Sequence, residues 1–158
     1  GFDLKNISYN TILPKGISLK SISREIDLSG AYSQVEVELN PELRIKNFKN
    51  FEHYKEYILQ NNELNNIYNE INNIKNETLK QLKDIKKGED FKEKYNKLLK
   101  EYKNQITPLY KEFREKSKQH FQSIGFNGIY IEKNGWGDEV MDRCIIFENQ
   151  NITPKRML

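Results

Sequence analysis

The run NELNNIYNEINNIKNETLKQLKDIKKGEDFKEKYNKLLKEYKNQITPLYKEFREKSKQHFQ, from Asn62 to Gln122, decides how this chain folds. Leu64, Ile67, Ile71, Ile74, Thr78, Leu82 and Ile85 follow one another at steps of three and four, so they fall on one stripe of a helix. Basic residues and a glycine, Lys86-Lys87-Gly88, close that helix in the usual C-terminal manner. Glu89 or Asp90 opens a second one, with Phe91, Tyr95, Leu98, Tyr102, Ile106, Leu109, Phe113, Ser117 and Phe121 on its apolar stripe. Pro108 falls inside this pattern and predicts a kink or a restart, with Thr107 as the cap. Two long helices joined by so short a turn are expected to lie antiparallel, 62–87 against 90–122.

On either side of this run the period changes from helical to alternating. Val35, Val37 and Leu39 alternate with Gln34, Glu36 and Glu38, which predicts a strand with one wet face. Asn40-Pro41 interrupts it, and Leu43 and Ile45 suggest a short continuation. Gly16-Ile17-Ser18-Leu19 follows the turn-prone Leu13-Pro14-Lys15 and reads as another strand. In the last third, Gly125-Phe126-Asn127-Gly128 and Asn134-Gly135-Trp136-Gly137 are turn clusters around the strand Ile129-Tyr130-Ile131. Cys144-Ile145-Ile146-Phe147 is a continuous apolar run of the kind a central strand needs. Val35, Val37, Leu39, Ile145 and Phe147 are therefore expected to share one sheet and its core. The class is α+β: a single domain, 1–158, with a small mixed or antiparallel sheet body from 1–50 and 123–158 and an antiparallel helical hairpin, 51–122, inserted between them.

Composition agrees with a projecting element. In 158 residues only 36% are hydrophobic and 31% are charged, with a mean hydropathy of -0.86, so the ratio of surface to core is high. The net charge of +3 is unevenly placed: residues 74–118 hold 14 Lys/Arg and 8 Asp/Glu, whereas the rest hold 12 and 15. A basic arm of this kind is able to touch phosphates or an acidic surface, although interspersed signs are also what a solvated helix carries. The hairpin, 62–122, is accordingly the candidate protein-contact arm. With one cysteine, Cys144, and two histidines, His53 and His120, neither an internal disulfide nor a zinc site of the Cys/His type can be assembled. No Asp-rich calcium loop, Walker pattern or dinucleotide glycine fingerprint is found. No apolar run approaches 18 residues and the first residues lack the features of a signal peptide, so a soluble, cytoplasmic protein with no membrane partner is expected. His53 and His120 read as packing or surface residues, and Cys144 as a buried, inert thiol.

The order of the short flanking segments resembles the mono-ADP-ribosyltransferase fold, in the form found in phage-associated proteins, bacterial toxins and the catalytic domains of poly(ADP-ribose) polymerases. Gly1-Phe2-Asp3-Leu4 and Gly16-Ile17-Ser18-Leu19 look like its Gly-Phe-Asp-Leu step and the Gly-Ile-Tyr-Phe strand that follows. Val35 to Pro41, then Leu43 and Ile45, is similar to its strand ending in Asn-Pro. Gly125-Phe126-Asn127-Gly128-Ile129 resembles its Gly-Tyr-Asp-Gly-Ile turn. Arg143-Cys144-Ile145-Ile146-Phe147-Glu148, with Asn151-Ile152 beyond, looks like its Glu-Tyr-Val-Val-Phe-Asp strand and Gln-Ile step. The resemblance spans 1–45 and 123–158 and none of the hairpin.

What the resemblance implies is a domain that transfers ADP-ribose from NAD to a protein or nucleic-acid acceptor, in a toxin or effector setting, phage-associated or otherwise. NAD would be held near Gly16, Ser18 and Arg143. Its functional positions depart from the family's. Ser18 stands where one branch has a nicotinamide-stacking tyrosine, the family's first-strand His or Arg would precede Gly1, and Arg143 stands where the catalytic glutamate is expected. That glutamate stabilises an oxocarbenium-like cation, which a guanidinium would repel. Asp142, one residue earlier, or Glu139 would have to supply the carboxylate, and Asp142 would need a bulge because a shift of one residue reverses the face. The alternative expectation is a non-catalytic phage or toxin structural module that acts through its hairpin.

Overall fold

The alternation and the helical stripes resolve into four helices and six strands in the computed structural model, which describes residues 7–20, 35–85, 88, 90–134 and 141–157. In chain order these are α1 (Tyr9–Ile12), β1 (Ile17–Lys20), β2 (Val35–Leu39), β3 (Ile45–Phe48), α2 (Phe51–Ile58), α3 (Asn62–Asp84), α4 (Phe91–Ser123), β4 (Gly128–Asn134), β5 (Met141–Ile146) and β6 (Ile152–Met157). The class is α+β with a long helical hairpin. Contacts divide the chain into two units, one of 1–13 and 57–117 and one of 14–56 and 118–158. The Gly1-Phe2-Asp3-Leu4 segment, Gln34, the Lys86-Lys87 helix end, Glu89 and the turn at Gly135-Trp136-Gly137 lie outside the described residues.

In the helical unit, Asn61 caps α3: its side chain accepts from the backbone N–H of Leu64 at 3.1 Å. Leu64, Ile67 and Ile71 on α3, and Tyr102, Ile106 and Phe113 on α4, are buried. The two polar members of the stripes, Thr78 and Ser117, are buried with their hydroxyls satisfied. That of Thr78 donates to the Ile74 carbonyl at 2.9 Å and that of Ser117 to the Phe113 carbonyl at 2.7 Å. Tyr68 meets Phe113 with ring centroids 6.4 Å apart, and Lys116 pairs with Glu63, so early α3 faces late α4 and the helices are antiparallel. Burial thins out toward the turn, where Tyr95 is 37% exposed and stacks on Phe91. α4 continues through Pro108 without a restart. Pro108 and Asn104 are both exposed, so the carbonyl that the proline leaves without a donor is able to meet water. Thr107 donates to the Lys103 carbonyl at 2.8 Å instead of capping a new helix.

The second unit carries a four-stranded mixed sheet in the order β1-β5-β4-β3, with β3 and β4 parallel and the other pairs antiparallel. β5 has partners on both sides, the position its apolar run demands. Its backbone is approached closely from each side by a glycine. A Cβ on Gly16 would come within 2.7 Å of the Ile145 side chain, and one on Gly128 would collide with the Ile145 carbonyl oxygen. One face of this sheet, with Phe48, Ile129, Ile131 and Ile145, is buried. Phe121 from the last turn of α4 joins Phe48, Tyr54 and Phe147 in one aromatic cluster. Asn50 starts α2 by accepting from the His53 N–H at 2.8 Å, while His53 Nδ1 accepts from the Lys49 N–H at 3.1 Å.

Contrary to expectation, Val35, Val37 and Leu39 do not share a sheet with Ile145 and Phe147. β2 pairs with β6 in a separate two-stranded sheet, and Val35 is 45% exposed. Nor does Ile45 continue β2. The Asn40 side chain accepts from the Glu42 N–H at 3.0 Å and its carbonyl from the Leu43 N–H at 3.2 Å, which turns the chain out of one sheet before β3 enters the other. Replacing Phe121 by Ala is expected to cost about 3–5 kcal/mol in a denaturant titration, and Val35 by Ala less than about 0.5 kcal/mol. A Val35 effect as large as that of Phe121 would place β2 in the principal core.

Candidate functional site

Register partners in an antiparallel pair present their side chains on the same face, and successive residues alternate between faces. Ser18 is the partner of Ile145, and Lys20 of Arg143; across β5, Ile145 and Arg143 are in turn the partners of Ile129 and Ile131. Ser18 and Arg143 thus belong to the face whose centre is buried, Ser18 exposed on β1 and Arg143 half-buried on β5. Gly16 precedes β1 and is accounted for by the close passage of β5. β1 pairs only with β5 among the described residues, so alternate backbone N–H and C=O groups point off its outer edge. Glu139 lies outside the described residues.

Asp142 lies on the opposite face. Its carboxylate accepts a hydrogen bond from the Tyr130 hydroxyl, and Tyr130 is the register partner of Cys144. No bulge interrupts the pairing of Ile17–Lys20 with β5, so the pleat keeps Asp142 apart from Ser18. The hydrogen bond to Asp142, then burial, then the nearby carboxylate charge hold the phenol protonated and push its pKa up to about 12. Burial raises the Cys144 thiol as well, which leaves it a poor nucleophile, and burial lowers His120, whose ring meets Phe121 edge-on at 5.4 Å. Among the described residues no three His, Cys, Asp or Glu side chains come together as a metal site, and no helix is long and apolar enough to cross a membrane.

The sheet therefore offers two distinct faces. One carries Ser18 on the edge strand β1 and Arg143 on its inner neighbour β5, residue types able to hydrogen-bond a carboxamide or an anion. The other carries a phenol and a carboxylate locked to each other. The Tyr130–Asp142 contact is not legible in the sequence, because nothing in Ile129-Tyr130-Ile131 or Asp142-Arg143 sets the register between their strands. Compared with protein-family models, curated proteins and solved structures, the chain gives no match.

The tyrosine supplies a pH test. Its folded pKa is raised above the ordinary value of 10.0, so the stability it contributes is fully present below pH 10 and is lost as pH rises through about 12. The wild type is expected to lose stability over that window more steeply than Tyr130→Phe, measured by denaturant midpoints at pH 9 to 12. Asp142→Asn is expected to shift the Tyr130 transition in ultraviolet difference spectra back toward 10. Identical profiles in all three would show that the pair does not hold in solution.

Proposed function

We propose that this chain is an ADP-ribosyltransferase-like module that holds NAD but does not turn it over. The observation that supports this reading is the direct pairing of β1 with β5, the two strands whose sequences, at 16–19 and 143–147, carry the resemblance. The outer edge of β1, with the Ser18 hydroxyl, offers donors and acceptors for the nicotinamide carboxamide, and the Arg143 guanidinium offers a charge-assisted partner for an anionic part of the same molecule.

Transfer is a different demand. Breaking the bond between nicotinamide and ribose builds positive charge on the sugar, and stabilising that charge requires a carboxylate beside it. Arg143 on the Ser18 face is of the wrong sign. Asp142 is of the right sign, but it stands on the other face and is engaged by Tyr130. Binding needs neither group to change, so it survives where transition-state stabilisation does not. A second reading, a non-catalytic module acting through α3 and α4 on a protein partner, is favoured by the charge of α4, whose exposed Lys92, Lys97, Lys100 and Lys111 form no ion pair among the described residues.

Calorimetric titration with NAD and a nicotinamide-release assay test the proposal. Saturable binding is expected with release at background, unchanged in Asp142→Ala and Glu139→Ala. Robust turnover that collapses in either variant would overturn the silent reading and identify the acid. Failure to bind NAD at millimolar concentration would leave the hairpin reading.

A further inference from the structure

Side chains four apart on a helix line up in rows, each step rising about 6 Å along the axis. On the first half of α4 one such row is Phe91, Tyr95 and Leu99, and the row beside it is Lys92, Asn96, Lys100 and Asn104. The two rows differ in kind. Phe91 and Tyr95 stack on each other, with ring centroids 5.9 Å apart and planes 25° from parallel, and Tyr95 is 37% exposed. All four side chains of the polar row are exposed, and neither of its lysines forms an ion pair among the described residues. Lys92 stands three positions before Tyr95, the spacing of neighbours on a helix surface, so a cation borders the aromatic pair. The polar row holds no carboxylate. Glu93 and Glu101 belong to the next row, where Lys97 lies between them.

A flat ring beside a line of cations and amides is matched by a ligand that alternates flat groups with anions. We propose that this side of α4 docks a single strand of nucleic acid without regard to its sequence: a base stacks on Tyr95, and Lys92 and Lys100 meet phosphates of the same strand. Asn96 and Asn104 supply neutral amide donors to the sugar and phosphate oxygens between them. A lysine is a point charge and a stacked ring accepts any base, so this set reads no sequence. A duplex keeps the faces of its bases inside the stack and engages the lysines alone. An acidic protein surface likewise leaves the ring without a role. An anionic membrane calls for an apolar wedge, whereas Tyr95 is the one exposed large apolar side chain among the described residues of the helical unit. The excess of Lys and Arg over residues 74–118, 14 against 8 Asp and Glu, draws a polyanion to this arm. The surface shares no residue with Ser18 and Arg143 and does not rest on the NAD reading.

The test is fluorescence anisotropy of a labelled oligodeoxythymidylate titrated with the whole chain, repeated over a range of salt concentrations. The variants are Tyr95→Ala, Tyr95→Phe, Lys92→Gln, Lys100→Gln and, as a control that removes the same charge from the sheet unit, Lys49→Gln. Tyr95→Ala is expected to weaken binding about tenfold, while Tyr95→Phe, which keeps the ring, binds as the wild type does. Lys92→Gln and Lys100→Gln are each expected to reduce the slope of log affinity against log salt by about 0.7, with Lys49→Gln unchanged in both readouts. A labelled duplex is expected to bind several-fold more weakly than the single strand. All five variants alter exposed side chains, and circular dichroism checks their helix content; should Tyr95→Ala lose it, the two lysine slopes decide. Absence of binding in the wild type, an affinity that Tyr95→Ala leaves unmoved, a salt slope that neither lysine variant changes, or equal affinity for the duplex, for polyglutamate or for phosphatidylserine vesicles would overturn the proposal.

Discussion

The ring of Phe121 lies 6.0 Å from that of Phe48, 6.1 Å from that of Phe147 and 6.4 Å from that of Tyr54, and it is closed to solvent. These four side chains come from the end of α4, from β3, from the residue after β5 and from α2, so one cluster ties together segments from both ends of the sequence. Aromatic rings suit this duty because each buries a large area and still prefers defined edge-to-face or offset geometries. The Gly125 turn inherits its placement from it. The helix has to stop soon after Phe121 is seated, and Asn127 then delivers the chain directly into β4 at Gly128.

The pleat of β5 governs what the candidate site is able to do. Adjacent residues on a strand face opposite ways, so Asp142 and Arg143 cannot serve one ligand together. The guanidinium stays with Ser18, and the carboxylate stays with Tyr130. A side that can attract an anion and a side that holds a proton are thereby kept apart by the thickness of a single sheet. The chemistry open to each is binding in the first case and proton retention in the second.

The helices are legible in the sequence because so long a stripe at steps of three and four admits no other regular structure. β5 is legible for a related reason, since a strand with neighbours on both sides welcomes Cys144-Ile145-Ile146-Phe147. Val35–Leu39 announces a strand but not its partner. That partner, β6, contains Pro154, which suppresses the usual strand signal and sits beside a register shift at Glu36/Val37. Of the candidate site, Ser18 and Arg143 follow from the resemblance, whereas the Tyr130–Asp142 contact depends on register, as does the hydrogen bond from the Arg44 N–H to Asn127, which joins residues 83 positions apart. No local pattern encodes a separation of that kind.

Ile45 and Gly128 are register partners in a parallel pair, and the whole helical hairpin lies between them in sequence. Closing so long a stretch as a flexible loop is slow as well as entropically costly. Helix formation, by contrast, takes place within about a microsecond, and the α3–α4 contacts are local by comparison. A hairpin that folds back on itself shortens the loop that the pairing of β3 with β4 has to close. In the entropy of loop closure, α3 and α4 thus count as a short connection and not as a long one.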